Sequence, residues 1–401
     1  MPQSYTNLHQ SVLDVNITNL VAFTKLYSKT QRIGYLKNTY NTHAIFFEEQ
    51  IELFDKAQKK LPSWVAKGCY FTRKSLEQCS SIPLANFKTN LFLGDVLVDL
   101  SAGLGVDDVA FANSFKQVIG VDPDKDLNQI VRFNFNKLGV TNIIRVDAKA
   151  EDYLSNNAQI ADAYYIDADR RPTSKVKTFS LVDATPNVLA IVPKLVDQGS
   201  TVLLKLSPMV DIAYLFKTFA NIEMVYVVGL KNEVKEVLVV MHKNALSEHQ
   251  NIRAIQVNEQ GEVECQFPEN AVLNQADVIG VDYFYEPSNM VIKAGLSVNY
   301  ANACGIDIVA KNSHYCTANF AVNNYFGRMF KVINHQPFSK TTIKQYLKTN
   351  QITKANISAR NFVTTVDELR KTFALTEGGD DYIFCTTNAA KNKLFWHCKK
   401  N

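Results

Sequence analysis

The stretch Val96-Leu97-Val98-Asp99-Leu100-Ser101-Ala102-Gly103-Leu104-Gly105-Val106-Asp107-Asp108 decides the fold. It opens as an apolar, β-branched run and breaks at a loop with two glycines, which is how a buried parallel strand feeding a helix reads. Gly103 and Gly105 permit a tight turn and let a ligand approach a backbone that carries no Cβ. Such a loop sits at the carboxyl end of a strand, where open α/β sheets bind ligands. A second strand ends in Asp122, 19 residues after Gly103. A carboxylate at that distance suits the two hydroxyls of a ribose. Dinucleotide-binding folds share the spacing, but Asp108 stands where their third glycine would be. A carboxylate at a helix start repels a pyrophosphate. The reading is a ligand with a ribose and no pyrophosphate, and S-adenosylmethionine fits. The loop alone leaves an ordinary β-turn-α unit without ligand as the alternative.

Outward from this loop the strand pattern continues. Residues 142–148 read as a strand ending in Asp147-Ala148, residues 161–167 as one ending in Asp167, and residues 200–206 as a fifth. Residues 223–229 and 235–241 follow with too short a gap for a helical crossover, so they should pair antiparallel. This order, with "DLSAGLG", "GVD", "VDA" and "YYID", resembles class I methyltransferases between Val96 and Met241. The resemblance implies an α/β chain with a Rossmann-like seven-stranded sheet. It also implies S-adenosylmethionine across Asp99, Ser101, Gly103 and Gly105, with Asp122 on the ribose and Asp147-Ala148 near the adenine.

In that family the end of the fourth strand faces both donor and acceptor. Enzymes that methylate exocyclic base amines carry Asp/Asn-Pro-Pro-aromatic there, whereas this chain has Asp167-Ala168-Asp169-Arg170-Arg171. The first acid matches; the prolines and the aromatic do not. Methyl transfer from an activated sulfonium asks chiefly for alignment of the nucleophile, sometimes with proton acceptance. Asp167 or Asp169 is read as that acceptor, and Arg170 and Arg171 as a grip for a phosphate or carboxylate. A salt-bridge cluster pinning the loop is the alternative. Lys205, at the end of the fifth strand, either reaches the cleft or pairs with Asp167.

The chain has 401 residues, 46% hydrophobic and 20% charged, which suits a globular protein of two or three domains. No apolar run approaches the roughly 18 residues that span a bilayer. The polar first residues show no signal-peptide pattern. Seven scattered cysteines, odd in number and without C-x-x-C, argue against a disulfide framework or a zinc site. Reduced thiols in a cytoplasmic protein are expected, with no metal and no membrane. Net charge is +4, yet residues 330–401 carry +7, leaving −3 for the rest. That asymmetry suggests a basic C-terminal module for RNA, although solvated lysines would give the same count.

Apolar residues at 46, 47, 51 and 54 have helical spacing, and Pro62 ends that helix. Residues 1–90 are therefore read as a helical N-terminal cap, and 91–242 as the methyltransferase domain. "SLEQCSS", "DLSAGLGVDD" and "YIDADRR" together are similar to a family of Bacteroidetes-type candidate methyltransferases. So are "YEPSNMVIKAG" (285–295), "NSHYCT" (312–317), "ANISARNF" (355–362) and "GGDDYIFCTT" (378–387). The resemblance implies small α+β modules after the sheet: a ferredoxin-like one at 243–325 and a THUMP-like one at 326–401. THUMP domains bind tRNA, so RNA is implied by analogy. Lys354, Asn356, Arg360, Asn361 and Phe362 combine cationic, amide and aromatic groups suited to RNA backbone and stacking contacts. A strand packing Ile357 and Phe362 inward is the alternative. The resulting expectation is a methyltransferase acting on structured RNA, tRNA or rRNA. Its rivals are a methyltransferase of a protein or small molecule, and a non-catalytic RNA-binding protein with a vestigial donor pocket. The oligomeric state is not legible.

Overall fold

The structure, a computed structural model, describes residues 14–157, 161–170, 181–245, 250–268 and 282–400. The chain separates into two compact units: Met1–Val225 with Glu236–Gln250 and Val257–Glu264, and Tyr226–Lys235 with Asn251–Gln256 and Cys265–Asn401.

The first unit begins with helices α1 (Ile17–Thr24), α2 (Lys29–Tyr40), α3 (Ala44–Lys60), α4 (Pro62–Ala66), α5 (Arg73–Gln78) and α6 (Ile82–Lys88). Then follow β1 (Val96–Asp99), α7 (Val106–Phe111), β2 (Gln117–Asp122), α8 (Lys125–Leu138), β3 (Ile143–Asp147), α9 (Ala150–Asn156) and β4 (Ala163–Asp167). A short ribbon of β5 (Asp169–Arg170) and β6 (Ala184–Thr185) precedes α10 (Val188–Asp197), β7 (Thr201–Leu206), α11 (Ile212–Thr218), β8 (Ile222–Leu230) and β9 (Glu233–Met241). The strand order β3-β2-β1-β4-β7-β9-β8 contains the seven expected strands. Strands β10 (Ile252–Val257) and β11 (Val263–Pro268) extend it to nine. Neighbours from β3 to β7 run parallel, and β9 runs antiparallel to β7.

Local chemistry explains these elements. Leu97, Val98 and Leu100 are buried because helices cover both faces of a parallel sheet. The Asp124 side chain caps α8 by accepting from the Leu127 N–H, and Gly139 ends it in the left-handed region. The N-terminal helices share one apolar core with α7 and α8: Leu53, Trp64, Val65 and Phe71 pack with Leu104, Val106, Val131 and Phe135. Residues 1–90 thus contribute to the same core as the strands that follow them.

In the second unit β12 (Tyr283–Pro287), α12 (Asn289–Lys293), α13 (Ser297–Ala303), β13 (Asp307–Ile308) and β14 (Cys316–Ala318) lead into β15 (Gly327–Pro337). Next come α14 (Lys340–Thr349), β16 (Asn356–Ala359), α15 (Val366–Phe373), β17 (Asp381–Thr387) and β18 (Lys393–Lys400). These strands form one sheet in the order β13-β14-β12-β15-β18-β17-β16. Strand β12 pairs directly with β15, so the expected boundary at 325/326 falls inside a hydrogen-bonded sheet. One face packs α14 and α15 through Ile343, Leu347, Leu369, Phe373 and Phe395. The other gathers Phe284, Tyr315, Phe330, Phe384 and Trp396. Strand β16 ends at Ala359, so Phe362 lies beyond it, and Asn361 between them adopts φ 51°.

Candidate active site at the carboxyl ends of β1, β2 and β4

The glycine loop is tied to both neighbouring strand ends. The Gly103 N–H donates to Asp122 Oδ2 at 3.0 Å, so the acid at the end of β2 lies against the loop. The Ser101 N–H and hydroxyl donate to Asp99 Oδ1 at 2.7 and 3.0 Å. The Asp167 N–H donates to Ser101 Oγ at 2.6 Å. One chain of hydrogen bonds therefore joins the expected donor loop to the expected acceptor strand. The two glycines have different causes. A Cβ on Gly103 would meet nothing closer than Ser101 O at 3.8 Å, which leaves that side of the loop open. On Gly105 it would stand 2.7 Å from the Phe135 ring, so this glycine answers to packing and to its φ of 79°.

Beneath the loop lies a second ionic group. Asp108 is fully buried and pairs with Arg145 Nη1 at 3.1 Å. Arg145 also donates to Asn128 Oδ1 at 2.6 Å and to the Gly103 carbonyl. The repulsion of a pyrophosphate expected from Asp108 therefore does not operate: its charge is turned inward and met by a guanidinium. Burial, and the Asp108 carboxyl beside it, push the Asp99 carboxyl well above the usual carboxylate range. Asp147 accepts from Arg132 Nη2 at 2.6 Å and from Asn128 Nδ2 at 2.8 Å, with Ala148 half-buried after it.

Asp167 is ion-paired with Lys205 across the β4–β7 register, the second of the two readings of that lysine. Burial disfavours the Lys205 ammonium, but Asp167, Asp107 and Glu236 outweigh it and its pKa is raised. These three carboxylates favour the charged form of Lys205. Behind it, Lys88 is fully buried between Asp107 Oδ1 at 3.2 Å and Glu236 Oε2 at 3.2 Å. The Ser80 and Tyr165 hydroxyls donate to Asp107 Oδ2 at 2.8 and 3.0 Å. Burial raises the Asp107 carboxyl; the Lys88 and Lys205 ammoniums more than offset this and hold it below its ordinary value. The residues Lys88, Asp107 and Glu236 escaped sequence reading. Their spacing carries no pattern, and only the fold brings them together.

Asp169 and Arg170 form β5, whose backbone pairs with Thr185 and Ala184. Arg171 lies outside the described residues. Arg73 of α5 pairs with Glu52 at 3.0 Å.

In the second unit the five residues read as RNA contacts are not one free face. Lys354 is exposed, its stem beside Gly378 and Gly379. Asn356 Nδ2 donates to the Gly379 carbonyl at 2.8 Å, and Asn361 Nδ2 to that of Thr387 at 2.9 Å. Phe362 packs on Phe338 with ring centroids 4.9 Å apart. Arg360 Nη2 pairs with Glu286 Oε1 at 2.8 Å.

Among the described residues no cluster of His, Cys, Asp or Glu is arranged to hold a metal ion, and no helix is long and apolar enough to cross a membrane.

The THUMP domain-like family matches residues 327–400. Among solved structures, a candidate methyltransferase from Porphyromonas gingivalis W83 superposes with a TM-score of 0.83 at 27% identity, covering 96% of this chain and 98% of its own. An rRNA methylase from Streptococcus thermophilus matches with a TM-score of 0.31 at 16% identity, over 40% of this chain and 93% of its own. TrmK from M. capricolum, solved with S-adenosylhomocysteine, matches with a TM-score of 0.33 at 15% identity, over 41% of this chain and 70% of its own. No curated protein matches the sequence. By strand order, glycine loop and the first of these structural matches, the chain is a class I methyltransferase fold that ends in a THUMP domain-like module.

Proposed function

We propose that this protein transfers a methyl group from S-adenosylmethionine to structured RNA, tRNA or rRNA. The observation that carries the transfer is the hydrogen-bonded chain from Asp99 through Ser101 to the Asp167 backbone, with Asp122 held on Gly103. The residues present fit the donor. Gly103 leaves its outer side free of any Cβ, and Asp122 is part-exposed beside it, so a ribose edge has both room and a carboxylate. Asp99, Ser101 and Gly105 shape the loop, and Asp147 with Ala148 lies at the next strand end, on the adenine side of the proposed site. The donor supplies an already activated methyl group, so the protein's part is alignment.

Asp167 accepts a hydrogen bond from the incoming nucleophile and Lys205 fixes its position. In this reading Asp169, Arg170 and Arg171 serve the acceptor, the arginines as the grip on a phosphate that the sequence suggests. The THUMP domain-like match and the +7 charge of residues 330–401 support RNA as the substrate. The departure at Ala168-Asp169 from a Pro-Pro-aromatic pattern favours a second reading, a protein or small-molecule acceptor in place of a flipped base.

A hydrogen bond to a charged group contributes about 1.5–3 kcal/mol. Asp122→Ala should therefore weaken S-adenosylhomocysteine binding about ten- to a hundred-fold by calorimetry. Asp167→Asn should leave that affinity intact and lower methyl transfer to total cellular RNA. Undiminished affinity in a folded Asp122→Ala protein removes Asp122 from the site. Absent transfer to any RNA by the intact protein removes the RNA reading.

A further inference from the structure

Three of the C-terminal stretches that carry the resemblance, "YEPSNMVIKAG", "NSHYCT" and "ANISARNF", converge on one group of side chains in the second unit. Glu286 of β12 faces Arg328 of β15 across the ladder, two residues from the Phe284–Phe330 pair. With a strand's two-residue period, all four lie on the aromatic face. Arg328 Nε donates to Glu286 Oε2 at 2.6 Å, and Arg360 Nη2 to Oε1 at 2.8 Å. Each guanidinium also lies over a ring, Arg328 over Phe330 at 5.5 Å and Arg360 over Tyr315 at 5.3 Å. Tyr315 is itself fixed to Ser358 by a 2.7 Å hydroxyl bond. His314, half-buried, has Nδ1 2.9 Å from the Ser297 hydroxyl and lies near enough to Arg360 that the guanidinium charge, after burial, lowers its pKa.

The arrangement is polarised. Glu286 is only 5% exposed, whereas the side chains of Arg328 and Arg360 are 43% and 27% exposed. One buried carboxylate thus aims two guanidiniums outward and leaves a net positive charge. Glu286 engages Nη2 of Arg360 and leaves its Nη1, shielded from water, without a partner in the described structure. His314 and Asn361 flank the group in the left-handed region, at φ 60° and 51°. Guanidiniums already immobilised on rings and on a carboxylate lose little further freedom on binding, and their planar forks match phosphate oxygens.

We infer that Arg328, Arg360 and His314, gathered on Glu286, form an oxyanion site that takes a phosphate group of RNA. This rests on the RNA reading above but assigns residues distinct from the methyl-transfer site. In the tautomer where Nδ1 accepts from the Ser297 hydroxyl, the His314 ring carries an Nε2–H as a third donor. Arg328, whose Nε and Nη2 both donate to Glu286 Oε2, presents the remaining edge of the more exposed guanidinium, and Arg360 brings the Nη1 that has no partner in the described structure.

The test uses the full-length protein, fluorescein-labelled total tRNA across a salt series, and inorganic phosphate against chloride at equal ionic strength. Arg328→Gln should weaken RNA binding about ten-fold and lower the salt slope by about 0.7–0.9, the share of one phosphate contact. Arg328→Lys should keep the slope and lose part of the affinity, because the charge stays and the fork is lost. Inorganic phosphate should raise the melting temperature of the wild type and not of Arg328→Gln. Since Arg328→Gln strips Glu286 of one cation, its melting transition is recorded first, and Arg360→Lys serves as the second variant. Unchanged RNA affinity in folded Arg328→Gln and Arg360→Lys, with an unchanged salt slope in Arg328→Gln, overturns the site and leaves the RNA reading standing. Phosphate protection without any RNA binding by the wild type overturns both the RNA reading and the ligand named here.

Discussion

Asp108 titrates inside the protein under opposed influences. Burial raises its carboxyl and the Arg145 guanidinium pulls it back, with the balance at about 6 against an ordinary 3.8. A raised carboxyl means that the folded state holds a proton the unfolded chain has already released. Its contribution to stability is full below the unfolded value and declines as pH rises toward the folded one. The stability of the wild type relative to Asp108→Asn should therefore fall between about pH 4 and pH 6, measured by urea unfolding at a series of pH values. A difference that stays flat across this window would mean that Asp108 ionises as in the unfolded chain. The same residue marks how far single positions are legible. Its identity excluded a third glycine, and this pointed to a donor other than a dinucleotide. Its orientation, and hence its indifference to ligand charge, depended on Arg145 of β3, 37 positions away.

Elements meet at the buried ionic cluster, where the last residue of α6, the first turn of α7 and the strands β4, β7 and β9 each contribute a charge. Removing one member of a buried pair leaves its partner uncompensated, at about 3–5 kcal/mol. Lys88→Met should destabilise the protein by that order, because Asp107 and Glu236 both lose an ammonium at 3.2 Å. Replacing Glu236 by Leu in the same chain should recover part of the loss, since the orphaned carboxylate goes with it. Urea unfolding of both single variants and the double variant measures this; additive losses would mean that the two residues are independent. The strands of this region were readable because parallel strands covered on both faces become continuous apolar runs. The cluster was not: Lys88 sits in an unremarkable "NFKTN", and its partner Glu236 lies 148 positions on.

At the scale of the whole molecule, the methyltransferase sheet was legible and the strand pairing within the C-terminal sheet was not. Residues 283–305 carry the mixed signals of a strand and a helix, but the partner of the strand at 283–287 is residues 327–337, and pairing across that interval leaves no local mark. The composition of the chain carries a different kind of information, because net charge acts through solvent without regard to which residues pair. Residues 330–401 hold +7 in a chain of +4, so RNA attracted to them should release counterions on binding. Affinity for total tRNA should then weaken steeply with salt, measured by fluorescence anisotropy. Lys354 is the exposed cation among the residues first read as RNA contacts. Lys354→Ala should flatten the slope by up to about one unit if its ammonium meets a phosphate. It should leave S-adenosylhomocysteine affinity unchanged, because no donor-loop residue belongs to that module. A wild-type slope near zero would mean that the basic residues are a solvated face, and the acceptor would have to be a protein or a small molecule. A steep slope left intact in the variant would keep RNA and move its contact away from Lys354, toward the arginines gathered on Glu286.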